Sequence, residues 1–183
     1  MEARAVSPPL ALLPNALTIF RLVLIPVFVA LMVRAGHDAS WPAGIVFGVA
    51  GITDQVDGYL ARRWHVESRF GKIADPLADR LMIDAAVILL FAYDRLPWEG
   101  LALILGRDLV LLAGARLLAP RGIEVDVNVA GKAATWLLYA AIAFRIVTSP
   151  ATQWPLYLFW VGIGLAIAAG VFYVGTAWGE LRR

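Results

Sequence analysis

Apolar runs about as long as a bilayer is thick recur from residue 14 to the C-terminus of this chain, and they constrain its fold more than any other feature. They are too long and too many for the single core that 183 residues would build in water. Composition agrees: 61% of residues are hydrophobic and 16% charged, against about 25% charged in ordinary soluble domains. The absence of cysteine excludes disulfides, thiolate metal sites and a cysteine nucleophile. His37 and His65 are too few and too far apart for a histidine-rich zinc site. A net charge of +2 gives no strong field for nucleic acid, and none is expected as a partner.

The pattern predicts an all-α integral membrane protein with six transmembrane helices, near residues 14–35, 41–62, 73–93, 97–118, 129–149 and 154–178. Residues 1–13 are expected to form an uncleaved juxtamembrane segment, and 14–183 one six-helix domain. Six spans place both termini on one side. Arg62, Arg63, Arg69 and Lys72 between spans two and three, Arg121 between spans four and five, and Arg182 and Arg183 in the tail put that side in the cytoplasm. Trp41, Trp98 and Trp154 then fall near the outer ends of their spans, where interfacial aromatics belong.

Acidic residues at membrane depth cost about 2.5–3.5 kcal/mol each at a helix centre and less near an interface. Yet span two ends with Asp54 and Asp57, and span three begins with Asp75 and Asp79. Spacings of i, i+3 and i, i+4 put each pair on one face of its helix. A short basic loop makes the two helices antiparallel neighbours, so four carboxylates can converge near the cytoplasmic interface. Left bare they would repel one another and raise their own pKa values. Divalent cations relieve this, and oxygen-only ligands select hard ions such as Mg²⁺, Mn²⁺ or Ca²⁺. Two such ions would clamp a phosphoryl group. The competing reading is an interfacial salt-bridge network with Arg62, Arg63, Arg69 and Arg80; two spaced pairs meeting across one loop favour the metal site. Gly58, Ala61 and Gly71 are small enough for a ligand to approach the backbone, though each alone would serve helix packing. Arg62 is a forked donor suited to phosphate, though alone it would be an ordinary anchor.

Asp54-x-x-Asp57-Gly58-x-x-Ala61-Arg62, then eight residues, then Gly71-x-x-x-Asp75-x-x-x-Asp79 resembles the full signature of the CDP-alcohol phosphatidyltransferase family. Pro14-Asn15-Ala16-Leu17-Thr18-Ile19-Phe20-Arg21 resembles the first span of bacterial members. Asp75-Pro76-Leu77-Ala78-Asp79-Arg80 resembles the phosphatidylglycerophosphate synthase and cardiolipin synthase branch. The resemblance implies a homodimer in the bacterial inner membrane, with a polar cavity and active site facing the cytoplasm. It implies phosphatidyl transfer from CDP-diacylglycerol to an alcohol, with release of CMP. By the same resemblance Asp54, Asp57, Asp75 and Asp79 hold a two-ion Mg²⁺ or Mn²⁺ site, and Asp79 also takes the acceptor's proton. CDP-diacylglycerol would lie against Asp54, Gly58, Ala61, Arg62, Gly71 and Asp75.

Acceptor choice rests on fewer residues. Enzymes using glycerol 3-phosphate typically show Arg-Glu on span four and a second arginine about two turns on. Here the pair is Arg107-Asp108, and the second position holds Ala115, with Arg116 displaced by one. One residue is a rotation of about 100° around the helix. The stretch Val127-Asn128-Val129-Ala130-Gly131-Lys132-Ala133-Ala134-Thr135 resembles actinobacterial cardiolipin synthases of this family, whose acceptor is phosphatidylglycerol. Phosphatidylglycerol is therefore the preferred acceptor on sequence, with glycerol 3-phosphate the alternative and Arg107, Lys132 and Arg21 the candidate acceptor residues. Arg107-Asp108 also reads as an internal ion pair and Lys132 as a snorkelling anchor. Asp84 and Arg145 lie in apolar runs and receive no catalytic role. Two other classes compete. A prenyltransferase would share the aspartate pairs but not the Gly-x-x-Ala-Arg insert. A divalent-cation carrier would explain the carboxylates but not Arg62 or the small residues.

Overall fold

In the computed structural model of the protein, the backbone is described for residues 13–64, 69–118 and 129–181, and side chains for 16–53, 56, 80–110 and 131–171. Six helices follow in order: α1 (Leu13–Ala35), α2 (Trp41–Trp64), α3 (Arg69–Ala92), α4 (Trp98–Leu118), α5 (Val129–Val147) and α6 (Trp154–Leu181). No strand occurs among the described residues. Residues 1–12 of the expected 1–13 N-terminal segment, the stretch 119–128 with Arg121, and Arg182 and Arg183 lie outside them.

Most helix ends fall within three residues of the expected spans, but α3 begins four residues early. Arg62 and Arg63 close α2, and Arg69 and Lys72 open α3, rather than forming a loop. Arginine and lysine are good helix formers, so backbone hydrogen bonding continues past the point where apolar character stops. Among the described residues, Ala16–Ala35 and Trp154–Val171 are long and apolar enough to cross a membrane, with mean hydropathies of 2.5 and 1.7. In α2 the described apolar stretch is Trp41–Thr53.

Local chemistry explains where the helices stop and start. Gly36, at φ +59°, ends α1 by donating its N–H to the Met32 carbonyl at 2.9 Å, a left-handed cap that glycine takes without a Cβ clash. Ser40 then starts α2, its Oγ accepting the Ala43 N–H at 3.3 Å. At the end of α3 the Arg95 N–H reaches the Leu90 carbonyl at 2.7 Å and the Asp94 N–H the Phe91 carbonyl at 3.0 Å. This is a Schellman motif with Asp94, at φ 56°, where glycine is usual. Trp41, Trp98 and Trp154 each open a helix and are exposed there.

The chain divides into two compact units. In the first, α1 packs on α2, with Phe28 and Phe47 in tilted contact at 5.7 Å between ring centres. In the second, α5 packs on α6, and the approach is close enough that a Cβ on Gly162 would sit 2.9 Å from the Leu138 side chain and 3.3 Å from its backbone nitrogen. Glycine permits that approach.

The second unit also buries two arginines, Arg95 at 1% exposure and Arg145 at 6%. Backbone carbonyls hold both. Arg95 donates through Nη1 to the Asp38 carbonyl at 2.8 Å, and through Nη2 to the carbonyls of Arg145, Ile146 and Thr148. It thereby caps the C-terminal end of α5, where carbonyls lack helical partners and a positive charge is favoured. Arg145 answers with Nε to the Arg95 carbonyl at 2.6 Å, and with Nη1 to the carbonyls of Pro150 (3.2 Å) and Thr152 (2.8 Å). Burial, and then the Arg145 charge, hold the Arg95 guanidinium below its ordinary pKa, while Asp38 pulls the other way. The pair staples the 37–39, 93–97 and 148–153 turns together.

Arg145→Met therefore strands several carbonyls at once. Unfolding in detergent is expected to show a loss of about 3 kcal/mol, and Arg145→Lys, with its single ammonium, should recover little of it. Conversely, Asp94→Gly relieves a left-handed aspartate and should stabilise by about 0.5–1 kcal/mol in the same assay.

Candidate active site

The helical backbone of α2 runs unbroken through Asp54 and Asp57, and that of α3 through Asp75 and Asp79. The side chains of these four residues, and of Gly58, Ala61, Arg62 and Gly71, lie outside the described ones. Register nevertheless places the aspartates. On α2 the fully buried residues are Ala43, Phe47 and Ala50; continuing the i, i+3, i+4 pattern gives Asp54 and Asp57. The opposite stripe, Ile45, Val49, Ile52 and Val56, is exposed and apolar. On α3 Met82, Ala86 and Leu90 are fully buried, and the same pattern run backward reaches Asp79 and Asp75. Its opposite stripe exposes Leu81, Ile88 and Phe91. Both pairs thus fall at sequence positions that continue the spacing of these buried residues.

Thr53, just before Asp54, turns its hydroxyl back to the Ala50 carbonyl at 2.9 Å and is satisfied within its own helix. On α1 Arg21 is fully buried beside Thr18, one turn away, on the face that carries Phe28 and Met32.

Of the acceptor candidates in the second unit, Arg107 is part-buried and Lys132 exposed. Arg107 Nη1 lies 3.8 Å from Asp108 Oδ1, an ion pair beyond hydrogen-bond reach, because adjacent residues do not face each other on a helix. A residue given no role on sequence is closer. Arg107 Nη2 donates to Thr135 Oγ1 at 3.1 Å, and that hydroxyl donates to the Gly131 carbonyl at 3.0 Å. Nothing in the spacing of Thr135 singles it out; only the tertiary structure brings its hydroxyl to Arg107.

Comparison with known proteins supplies the context for this arrangement. A sequence model of the CDP-alcohol phosphatidyltransferase family matches residues 11–171. The chain is 33% identical over 190 aligned positions to a CDP-diacylglycerol–glycerol-3-phosphate 3-phosphatidyltransferase of Bacillus subtilis (strain 168), covering 93% of this chain and 97% of the relative. A protein of the same name from Pseudomonas fluorescens is 34% identical, covering 93% of this chain and 92% of its own length. One from Escherichia coli (strain K12) is 32% identical, covering 79% and 90%. The family match spans the stretch that holds the four aspartates, and none of these matches supports the prenyltransferase or ion-carrier readings. The chain belongs to the CDP-alcohol phosphatidyltransferase family.

Proposed function

We propose that this protein makes phospholipid precursors by transferring the phosphatidyl group of CDP-diacylglycerol to glycerol 3-phosphate, releasing CMP. One observation carries the reading: relatives named for that reaction match 93% of the chain. This reverses the sequence-based preference for phosphatidylglycerol. That preference rested on two local features, the Ala115–Arg116 offset and the 127–135 stretch, whereas the similarity to the relatives extends along the chain.

In this reading the six helices span the bacterial inner membrane as a homodimer, with both termini and the site in the cytoplasm. Exposed apolar stripes on α2 and α3 and the tryptophans at the starts of α2, α4 and α6 support the membrane setting. Asp54, Asp57, Asp75 and Asp79 would hold Mg²⁺ or Mn²⁺, a fit that rests on an all-oxygen donor set placed by register on buried helix faces. When bound, such ions would neutralise the diphosphate and the charge that grows on the leaving CMP. Gly58, Ala61 and Gly71 admit the nucleotide close to the backbone, and Arg62 meets its phosphates. Asp79 accepts the proton of the acceptor hydroxyl. The freed oxygen attacks the phosphorus bearing diacylglycerol, a phosphorus–oxygen bond forms, and the bond to CMP breaks. Arg107 and Lys132 supply cationic binding for the acceptor's phosphate, and Arg21 is a third candidate.

Purified protein given CDP-diacylglycerol and Mn²⁺ is expected to release CMP and form phosphatidylglycerophosphate with glycerol 3-phosphate. Cardiolipin formed from phosphatidylglycerol, with no turnover of glycerol 3-phosphate, would reverse the acceptor. Asp57→Asn and Asp75→Asn should each lower turnover by more than the 10²- to 10⁴-fold typical of losing a general base, while the helical content measured by circular dichroism stays at the wild-type level. Turnover retained at saturating metal would refute the carboxylate site.

A further inference from the structure

Arg107 carries five N–H donors, and the described contacts use one of them, the 3.1 Å bond to Thr135. The direction of that bond is set by its neighbour. A hydroxyl has one proton, and the Thr135 proton is committed to the Gly131 carbonyl at 3.0 Å. Its lone pairs are therefore left to accept, and a guanidinium, which only donates, is the complementary group. Threonine is stiff at χ1, so the acceptor atom holds its place on α5. The Asp108 carboxylate, at 3.8 Å, is too far to fix the guanidinium plane by hydrogen bonding. The Arg107 side chain keeps 28% of its surface exposed.

We propose that Thr135 is a positioning residue for the acceptor: it locks the Arg107 guanidinium so that its remaining N–H groups meet the acceptor's phosphate as a preformed fork. This rests on the phosphatidyl-transfer reading with a phosphate-bearing acceptor. The shared chemistry is a phosphate, the monoester of glycerol 3-phosphate or the diester of phosphatidylglycerol. Preorganising one binding side chain lowers the ordering cost on binding and leaves the chemical step alone.

The test measures steady-state kinetics of wild type, Thr135→Val, Thr135→Ser, Arg107→Ala and the Arg107→Ala/Thr135→Val double variant, with each acceptor supplied separately. Thr135→Val should raise KM for the acceptor that wild type consumes by about tenfold. Its kcat should stay within about twofold, and its KM for CDP-diacylglycerol should be unchanged. Thr135→Ser, which keeps the hydroxyl, should return near wild type. In the Arg107→Ala background Thr135→Val should add nothing. An acceptor KM equal to wild type in Thr135→Val overturns the positioning role, as does an effect that persists without Arg107 or that falls equally on both substrates. Should Thr135→Val not accumulate, Thr135→Ala carries the same comparison. Wild type that consumes phosphatidylglycerol and not glycerol 3-phosphate overturns the acceptor reading while leaving the positioning role to be judged on phosphatidylglycerol; wild type that consumes neither overturns both.

Discussion

A charge on the buried face of a helix must find a counter-charge, a metal or a set of oriented dipoles, or the face does not stay buried. Asp54, Asp57, Asp75 and Asp79 stand at sequence positions that continue the spacing of the buried residues of α2 and α3, while the opposite stripes of the described residues expose isoleucine, valine, leucine and phenylalanine. No arrangement of apolar side chains satisfies those carboxylates. The proposed metal site would answer that requirement, and so the functional reading leans on the aspartate pairs more than on the length of any helix.

The same rule acts on cations in the second unit, with a different answer. Arg95 and Arg145 are buried and like-charged, and carbonyl oxygens from three turns accept hydrogen bonds from both, leaving the Arg95 Nε without a partner among the described residues. Helix C-termini and tight turns leave carbonyls without partners, and a guanidinium can meet several at once. Two deficits cancel there, orphan acceptors and buried donors, and the product is a joint between turns far apart in sequence. Arg107 shows an intermediate case: it is part-buried, and one donor is met by the Thr135 hydroxyl.

Helix positions were legible because apolar runs and their punctuation act locally. Pro42 and Pro155, each second in its helix, and the Ser40 cap mark helix starts that hydropathy alone would blur. Local reasoning failed where a signal was ambiguous at short range. Arg62, Arg63, Arg69 and Lys72 read as loop because they are charged, yet they are helix formers and continue α2 and α3. Asp94 was not recognised as a helix stop, because its left-handed cap needs the Leu90 and Phe91 carbonyls to show it. The sequence preference for phosphatidylglycerol rested on the Ala115–Arg116 offset and the 127–135 stretch, features too short to outweigh similarity along the chain to relatives named for glycerol 3-phosphate.

By itself the amino-acid order determined the six helices, the spacing of the carboxylates and the family, since each depends on residues within a few turns of one another or on a contiguous signature. Tertiary structure alone decided which faces are buried, that Arg145 is a brace between turns, and that Thr135 on α5 meets Arg107 on α4. Those pairings join residues tens of positions apart. Only the packing of one helix on another determines which hydroxyl or carbonyl reaches which guanidinium.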